Sequence, residues 1–305
     1  MPNYQAVLDA TFNHIQPLLH AGKVADYIPA LAEQKIGQFA IALHTNEGNS
    51  FTAGNCNTRF TVQSVSKVMT LTMALQRYED ELWQRVGKEP SGTAFNSLTQ
   101  LEFENGIPRN PFINAGAIVT CDALFSRLGA PIHTMLEQYR RQSGNAKVII
   151  NKRVAQSEFE YRYRNAAMAY LMKSFSNFSN EVEEVLWSYF NYCAIELNCI
   201  ELARTFSYLS NQGYCAQSQQ QLISAKQTKQ LNSLLFTSGL YDAAGDFAYR
   251  VGMPGKSGVS GTIIAVVPGQ FTIAVWSPGL DKFGNSVAGI AALEYLSEQL
   301  GTAIF

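Results

Sequence analysis

Arg59-Phe60-Thr61-Val62-Gln63, then Ser64-Val65-Ser66-Lys67, then Val68-Met69-Thr70-Leu71-Thr72-Met73-Ala74-Leu75: this stretch decides how the chain is read. Its first residues alternate like the end of a strand, and the run from Val68 onward predicts a helix buried nearly all round. Ser64 therefore stands at a strand-to-helix junction. Positions i and i+3 share a helix face, so Lys67 can return beneath the Ser64 hydroxyl and its amine can receive the proton. A helix N-terminus also offers unpaired amides and a positive dipole end, which suits an oxyanion formed beside Ser64. Serine and lysine are common residues, and S-x-x-K alone does not carry the assignment.

Working outward, residues 4–19 have apolar side chains at helical spacing, closed by Ala21-Gly22, and Val24-Ala25-Asp26-Tyr27-Ile28-Pro29 is a short irregular link. Residues 39–44 and 49–54 predict two strands around Asn46-Glu47-Gly48, with residues 59–62 a third, shorter one. From there to about residue 235 the pattern is mostly helical. Gly87-Lys88-Glu89-Pro90-Ser91-Gly92 is a turn cluster, and Asn114 is placed to N-cap a helix of small residues. Residues 157–165 open a helix running through Met168 and Met172, and residues 182–197 and 200–209 predict two more. After Leu240 strands return at 247–251, 262–267 and 271–276, with turns at Pro254-Gly255 and Pro268-Gly269, before a last helix over 287–300. Strands at both ends with helices between predict an α/β (α+β) chain. One antiparallel sheet with flanking helices is expected from residues 1–69 and 236–305, an all-α insertion from 70–235, and the site at their interface.

Composition narrows the partner. Among 305 residues 15% are charged and 47% hydrophobic, with a formal net charge of −1, so nothing biases the surface toward nucleic acid or an anionic membrane. A small molecule is expected. Met1-Pro2-Asn3-Tyr4 lacks the basic and apolar regions of a secretory signal and no apolar run reaches membrane-span length, which makes the cytoplasm the expected compartment. Five scattered cysteines without a C-x-x-C pair argue against a disulfide framework or zinc site. Four histidines without ligand spacing leave no basis for a metal or a Ser-His-Asp triad, and no cofactor is expected. Scarce histidine favours a lysine base.

Gly255-Lys256-Ser257-Gly258-Val259-Ser260-Gly261-Thr262 supplies a second motif: a cation, a hydroxyl and a glycine that lets a ligand approach the backbone. S-x-x-K on the first helix after an N-terminal sheet, a helical insertion, and K-[ST]-G at a C-terminal strand resembles the order of elements in penicillin-binding proteins and class A β-lactamases. In such acyl-serine chemistry Lys67 takes the Ser64 proton, Ser64 attacks a carbonyl, and the amides of Ser64 and Val259 hold the oxyanion. Lys67 then needs a lowered pKa, through burial or through Lys256 nearby. The leaving-group proton can return from Lys67 or come from a tyrosine, with Tyr241 and Tyr189 the candidates.

At this point the chain resembles the serine-dependent glutaminases of bacterial type, which share the β-lactamase-like fold. The resemblance is carried by Val24-Ala25-Asp26-Tyr27-Ile28-Pro29, Gln63-Ser64-Val65-Ser66-Lys67, Gly87-Lys88-Glu89-Pro90-Ser91-Gly92, Asn114-Ala115-Gly116-Ala117-Ile118, Gln156-Ser157-Glu158, Gly239-Leu240-Tyr241-Asp242, Lys256-Ser257-Gly258-Val259 and Gly284-Asn285-Ser286-Val287. It implies hydrolysis of L-glutamine to L-glutamate and ammonia through a glutamyl-Ser64 ester. By position it implies substrate contacts at Tyr27, Ser64, Asn114, Glu158, Asn165, Tyr189, Tyr241 and Val259, with Lys256 and Ser257 in support. The chemistry agrees: Glu158 can meet an ammonium, while Asn114, Asn165 and Tyr189 can donate to a carboxylate. The resemblance also implies a homo-oligomer, tetramer or dimer; without the long extra domains of the animal enzymes, phosphate activation is not expected. One departure is visible, since the family usually follows Val259 with a small residue and two glycines, and Ser260-Gly261-Thr262 stands here. Two other readings of the same motifs stay open, a β-lactam-interacting acyl-serine enzyme and a non-catalytic glutamine sensor.

Overall fold

The computed structural model describes residues 2–92 and 98–304. Its strands are β1 (Ala40–Thr45), β2 (Ser50–Gly54), β3 (Phe60–Thr61), β4 (Ile149–Ile150), β5 (Ile195–Leu197), β6 (Tyr214–Cys215), β7 (Gln220–Gln221), β8 (Gly255–Gly258), β9 (Thr262–Val267) and β10 (Phe271–Trp276). The helices are α1 (Tyr4–His14), α2 (Ser66–Tyr78), α3 (Leu98–Phe103), α4 (Asn114–Phe125), α5 (Pro131–Ser143), α6 (Lys152–Glu160), α7 (Tyr163–Ser174), α8 (Val182–Cys193), α9 (Cys199–Thr205), α10 (Ala225–Ser238), α11 (Ala244–Arg250) and α12 (Val287–Leu300). Among the described residues no helix is long and apolar enough to cross a membrane.

Five antiparallel strands in the order β2-β1-β10-β9-β8 join the two ends of the chain into one sheet. Strand alternation sends Ile41, Leu43, Ile273 and Val275 to one face, where they pack with Leu8 of α1 and Leu293 and Leu296 of α12. Ala40, Ala42 and Ala274 point the other way, and these small side chains let α9 lie close on the sheet with Cys199 and Leu202. Covered on both faces, the sheet has no solvated side. β9 and β10 are accordingly buried at every position.

α2 is buried without interruption from Ser66 to Leu75, in keeping with its nearly unbroken apolar run. It packs most closely against α4, whose Gly116 is required because a Cβ there would lie 1.9 Å from Asn110 O. Other expectations need correction. Residues 247–251 form no strand: Phe247 and Val251 are buried four apart while Tyr249 is 91% exposed, a helical period that Phe-x-Tyr-x-Val imitates with a two-residue one. β3 does not join the main sheet but pairs with β5, and β5 with β4. The stretch 182–197 therefore divides into α8 and a strand, and the helix expected from residue 157 breaks between Glu160 and Tyr163. Lys256, Ser257 and Gly258 are themselves the edge strand β8, with Gly255 its first residue rather than part of a turn.

Candidate active site

A cavity of about 890 Å³ opens where the end of the sheet meets the helices. Tyr27, Ser64, Asn114, Glu158, Asn165, Tyr189, Tyr241 and Val259 all line it, although they come from eight separated parts of the chain. Tyr27 stands at the mouth, 57% exposed, whereas Glu158 and Tyr189 are buried in the wall.

Ser64 sits in a single 3-10 turn, Gln63–Val65, that connects β3 to α2. Gln63 takes φ +48°, a left-handed conformation that costs a residue with a Cβ about 1–3 kcal/mol. The side chain makes the turn useful: Gln63 Nε2 donates to Glu158 Oε1 at 2.9 Å and to Thr61 Oγ1 at 3.2 Å. The residue beside the serine thus aims the buried carboxylate. Tyr241 also has a positive φ, +53°, at the start of a short 3-10 turn after α10.

Behind Ser64 lies Lys67, 1% exposed. Its Nζ lies 2.7 Å from Asn114 Oδ1, 3.1 Å from Phe112 O and 3.2 Å from Tyr241 Oη. Ser64 lines the cavity beside Tyr241, and its hydroxyl, acting as a donor, lowers the pKa of the phenol. Tyr241 thus meets both Lys67 and Ser64. Burial lowers the Lys67 pKa to about 7, against the opposing pull of Cys193 and Glu158. Burial raises the Tyr241 pKa, so the phenol holds its proton at neutral pH, and the Ser64 hydrogen bond only partly offsets this. Glu158 is pushed up to about 8 by burial, with the Gln63 hydrogen bond and the Lys67 charge acting in the other direction.

Asn114 does not N-cap its helix. Ile113 occupies the cap position, and Asn110 Oδ1 accepts from the amides of Phe112 and Ile113 instead. Freed from capping, Asn114 accepts from Lys67 and gives one Nδ2 hydrogen to Asn165 Oδ1 at 3.1 Å. Its oxygen is occupied, so toward the cavity it has a hydrogen to offer rather than the double role its amide suggested.

Lys256 is fully buried, its Nζ 4.0 Å from the centroid of the Tyr241 ring and donating to Ser257 O. Burial, then the charge of Lys67, holds its pKa well below the usual ammonium range. Ser257 does not reach the site. It pairs across the strands with Ile263, whose side chain belongs to the cluster under α12, and its hydroxyl is buried without a partner among the described residues. Val259 follows the strand at the cavity wall, and neither its amide nor that of Ser64 donates to a backbone carbonyl among the described residues. Gln63 and Cys193 line the same cavity and were not singled out for a role from sequence. A left-handed φ and an inward-facing thiol leave no periodic signature.

The arrangement holds a hydroxyl, a phenol and a lowered-pKa amine in series, with a buried carboxylate and amide donors opposite. That is equipment for acyl transfer on a small zwitterion. The family model described as Glutaminase matches residues 22–305. A curated relative named Glutaminase, from Pseudoalteromonas translucida (strain TAC 125), is 70% identical over 303 residues, covering 99% of each chain. Among solved structures, a probable glutaminase superposes with a TM-score of 0.90 at 34% identity, covering 98% of both chains. Another, from Bacillus subtilis and complexed with 6-diazo-5-oxo-L-norleucine, superposes with a TM-score of 0.88 at 31% identity, covering 100% of this chain and 98% of its own.

Proposed function

The chain belongs to the glutaminase family and hydrolyses L-glutamine to L-glutamate and ammonia, and we propose that it does so through a glutamyl ester on Ser64. The reading is carried by one observation, the contact set of Lys67. Asn114 Oδ1 and Phe112 O can only accept, so a neutral Lys67 gives its two hydrogens to them and turns its lone pair toward Tyr241 Oη. Tyr241 then donates to Lys67 and its oxygen is open to the Ser64 proton. In acylation that proton moves to Tyr241 as the Tyr241 proton moves to Lys67, Ser64 Oγ bonds to the side-chain carbonyl carbon, and the amides of Ser64 and Val259 receive the oxyanion. Collapse breaks the C–N bond, and the stored proton returns along the same path to release ammonia. Water then attacks the ester and gives its proton to the same relay, the bond from the acyl carbon to Ser64 Oγ breaks, the relay returns the proton to Oγ, and glutamate leaves.

Glu158 is the partner for the substrate ammonium, with Asn114, Asn165 and Tyr189 as donors to its carboxylate and Tyr27 over the mouth. Lys256, its Nζ 4.0 Å from the centroid of the Tyr241 ring, packs against the relay, and burial is what lowers Lys67. The site belongs to the seam between residues 1–69 with 236–305 and the insertion 70–235. The protein acts as a homo-oligomer, tetramer or dimer. Support comes from α7, whose outer side exposes Tyr163 and Tyr170, and from Phe103, 83% exposed on the neighbouring α3. The cytoplasm suits five buried, unpaired cysteines.

Ammonia release from glutamine by the parent and by Ser64→Ala tests the assignment. The parent should turn over and the variant should lose at least about a thousandfold. Glutamine binding without ammonia release would instead identify a sensor, and equal rates would remove Ser64 as nucleophile.

A further inference from the structure

Asn110 lies two residues before Phe112, whose carbonyl oxygen accepts from Lys67 Nζ at 3.1 Å. It is 1% exposed, and its side chain is tied at both ends. Oδ1 accepts from the amides of Phe112 at 3.0 Å and Ile113 at 3.1 Å, while Nδ2 donates to Glu89 O at 2.9 Å. Pro111 between them has no N–H to compete. Backbone grips the residue on two sides as well. Gly87 N donates to Pro108 O at 2.7 Å and Glu89 N to Arg109 O at 2.9 Å, and a Cβ on Gly87 would lie 2.7 Å from Arg109 O. Opposite, Gly116 of α4 lies so close that its own added Cβ would meet Asn110 O at 1.9 Å. The turn over 87–92, which takes no part in lining the cavity, is therefore the seat of Asn110.

We propose that Asn110 is a positioning residue: held between the 87–92 turn and α4, it fixes the peptide that joins Phe112 to Ile113 so that the Phe112 carbonyl meets Lys67, and thereby aims the Lys67 lone pair at Tyr241. The inference rests on the relay proposed above. The Phe112 carbonyl and the Ile113 N–H belong to one planar trans peptide, so they point in opposite directions. Asn110 Oδ1 holds the N–H on one side, and the carbonyl is thereby turned to Lys67 on the other. A neutral amine has two hydrogens, and both must be taken up for its lone pair to face the phenol. Asn114 Oδ1 takes one at 2.7 Å, and Phe112 O takes the other. Asn110 itself touches neither the amine nor the cavity, so it acts through the peptide alone.

Glutamine kinetics and thermal melts on Asn110→Ala, Asn110→Ser, Gly87→Ala, and Asn110→Ala combined with Lys67→Met test this, together with the titration of Lys67 read from its ε-13C resonance, assigned by its loss in Lys67→Met. Asn110→Ala should lower kcat about tenfold at pH 9, where Lys67 is deprotonated in both proteins, and leave KM within about threefold. A carbonyl that turns away also takes an acceptor from the ammonium, so the Lys67 titration should move about half to one pH unit toward acid. The titratable groups that face Lys67, namely Glu158 of α6, Cys193 of α8, Tyr241 and Lys256 of β8, are unchanged in the variant. Added to Lys67→Met, Asn110→Ala should cost less than about twofold more, because its target is gone. Asn110→Ser keeps an acceptor for the two amides and should hold kcat within about threefold of the parent. Gly87→Ala drives Arg109 off the turn and should reproduce both the kcat loss and the acid shift with Asn110 intact. A parental kcat in Asn110→Ala, an unmoved or raised Lys67 titration, or a loss that adds in full to Lys67→Met overturns the proposal. Should Asn110→Ala not fold, Gly87→Ala decides by the same two readings. A Lys67→Met protein with the parental rate would remove the relay instead, and the Lys67 resonance would still decide whether Asn110 turns the carbonyl to the amine.

Discussion

Lys67 Nζ lies 3.2 Å from Tyr241 Oη, and its two other partners, the Asn114 side-chain oxygen and the Phe112 carbonyl, are acceptors only. The tyrosine is therefore the one group there that can exchange a proton with the amine. Lys67→Met and Tyr241→Phe should each lower kcat by about 10²–10⁴ with smaller changes in KM. The two losses should not add, because either cuts the same path. Single-turnover acylation rates on the two variants and their combination check this. Full activity in Tyr241→Phe would return the proton to a direct Ser64–Lys67 transfer.

The lowered Lys67 and raised Glu158 give a defined pH profile. In the proposed reaction Lys67 acts deprotonated, with its pKa lowered to about 7, and Glu158 binds glutamine ionised, with its pKa raised to about 8. Both must lose a proton. In the free enzyme kcat/KM should then climb with a slope approaching two below pH 7, with a slope of one between 7 and 8, and level off above. Bound substrate places an ammonium against Glu158 and keeps it ionised, so kcat alone should show only the lower step. Profiles from pH 5.5 to 9.5 measure both quantities, and a kcat/KM that falls from pH 6 to 8 would contradict the assignment.

Gln63 links these two halves, since it is both the neighbour of Ser64 and the donor to Glu158 at 2.9 Å. That hydrogen bond lowers the Glu158 pKa. Removing it in Gln63→Leu should raise that pKa further and weaken glutamine binding by about tenfold at pH 7, consistent with a charge-assisted hydrogen bond. The deficit should narrow by pH 9, where Glu158 ionises in either protein. KM measured at the two pH values separates this electrostatic effect from a damaged turn, which would be equally harmful at both.

The sequence was most legible where one physical signal dominated. Val68 to Leu75 reads as a buried helix because its apolar run is nearly unbroken, and α2 is buried there. The sheet made from both ends followed from apolar runs bounded by turn residues, and β9 and β10 lie where that pattern ran. Short segments failed where two periods fit. Phe247, Tyr249 and Val251 alternate, yet tertiary packing buries only the first and last. Asn114 had the composition of a cap, but it is already the first residue of the helix, with Ile113 at the cap position and Asn110 holding the amides of Phe112 and Ile113 just ahead of it. Two-residue β3 leaves the main sheet because its partner, β5, lies far along the chain, a pairing no local pattern encodes. Within the cavity, residues carrying an obvious charge or hydroxyl could be singled out, whereas Gln63 reaches Glu158 from a left-handed φ that no local pattern encodes.

Ser260-Gly261-Thr262, the departure from the family pattern, is built into the site's backing. Ser260 Oγ donates to Thr61 O at 2.6 Å, and Thr262 Oγ1 reaches Val62 O at 3.5 Å, so the β8–β9 hairpin is fastened to the chain just ahead of Ser64. Val259 and its amide stand immediately before the first of these points. Gly261 must stay glycine, with φ +91° and an added Cβ only 2.1 Å from Ser277 O. The shorter bond should matter more: Ser260→Ala should cost about 1–3 kcal/mol of stability, because Thr61 O loses a buried donor, and Thr262→Val well under about 1 kcal/mol. If the hairpin sets the Val259 amide, Ser260→Ala should also lower kcat, by less than the about 2.7–4 kcal/mol that losing an oxyanion donor costs. Urea melts and kcat for the two variants test the order. A Ser260→Ala protein with parental stability and parental kcat would mean that the oxyanion hole is held from elsewhere.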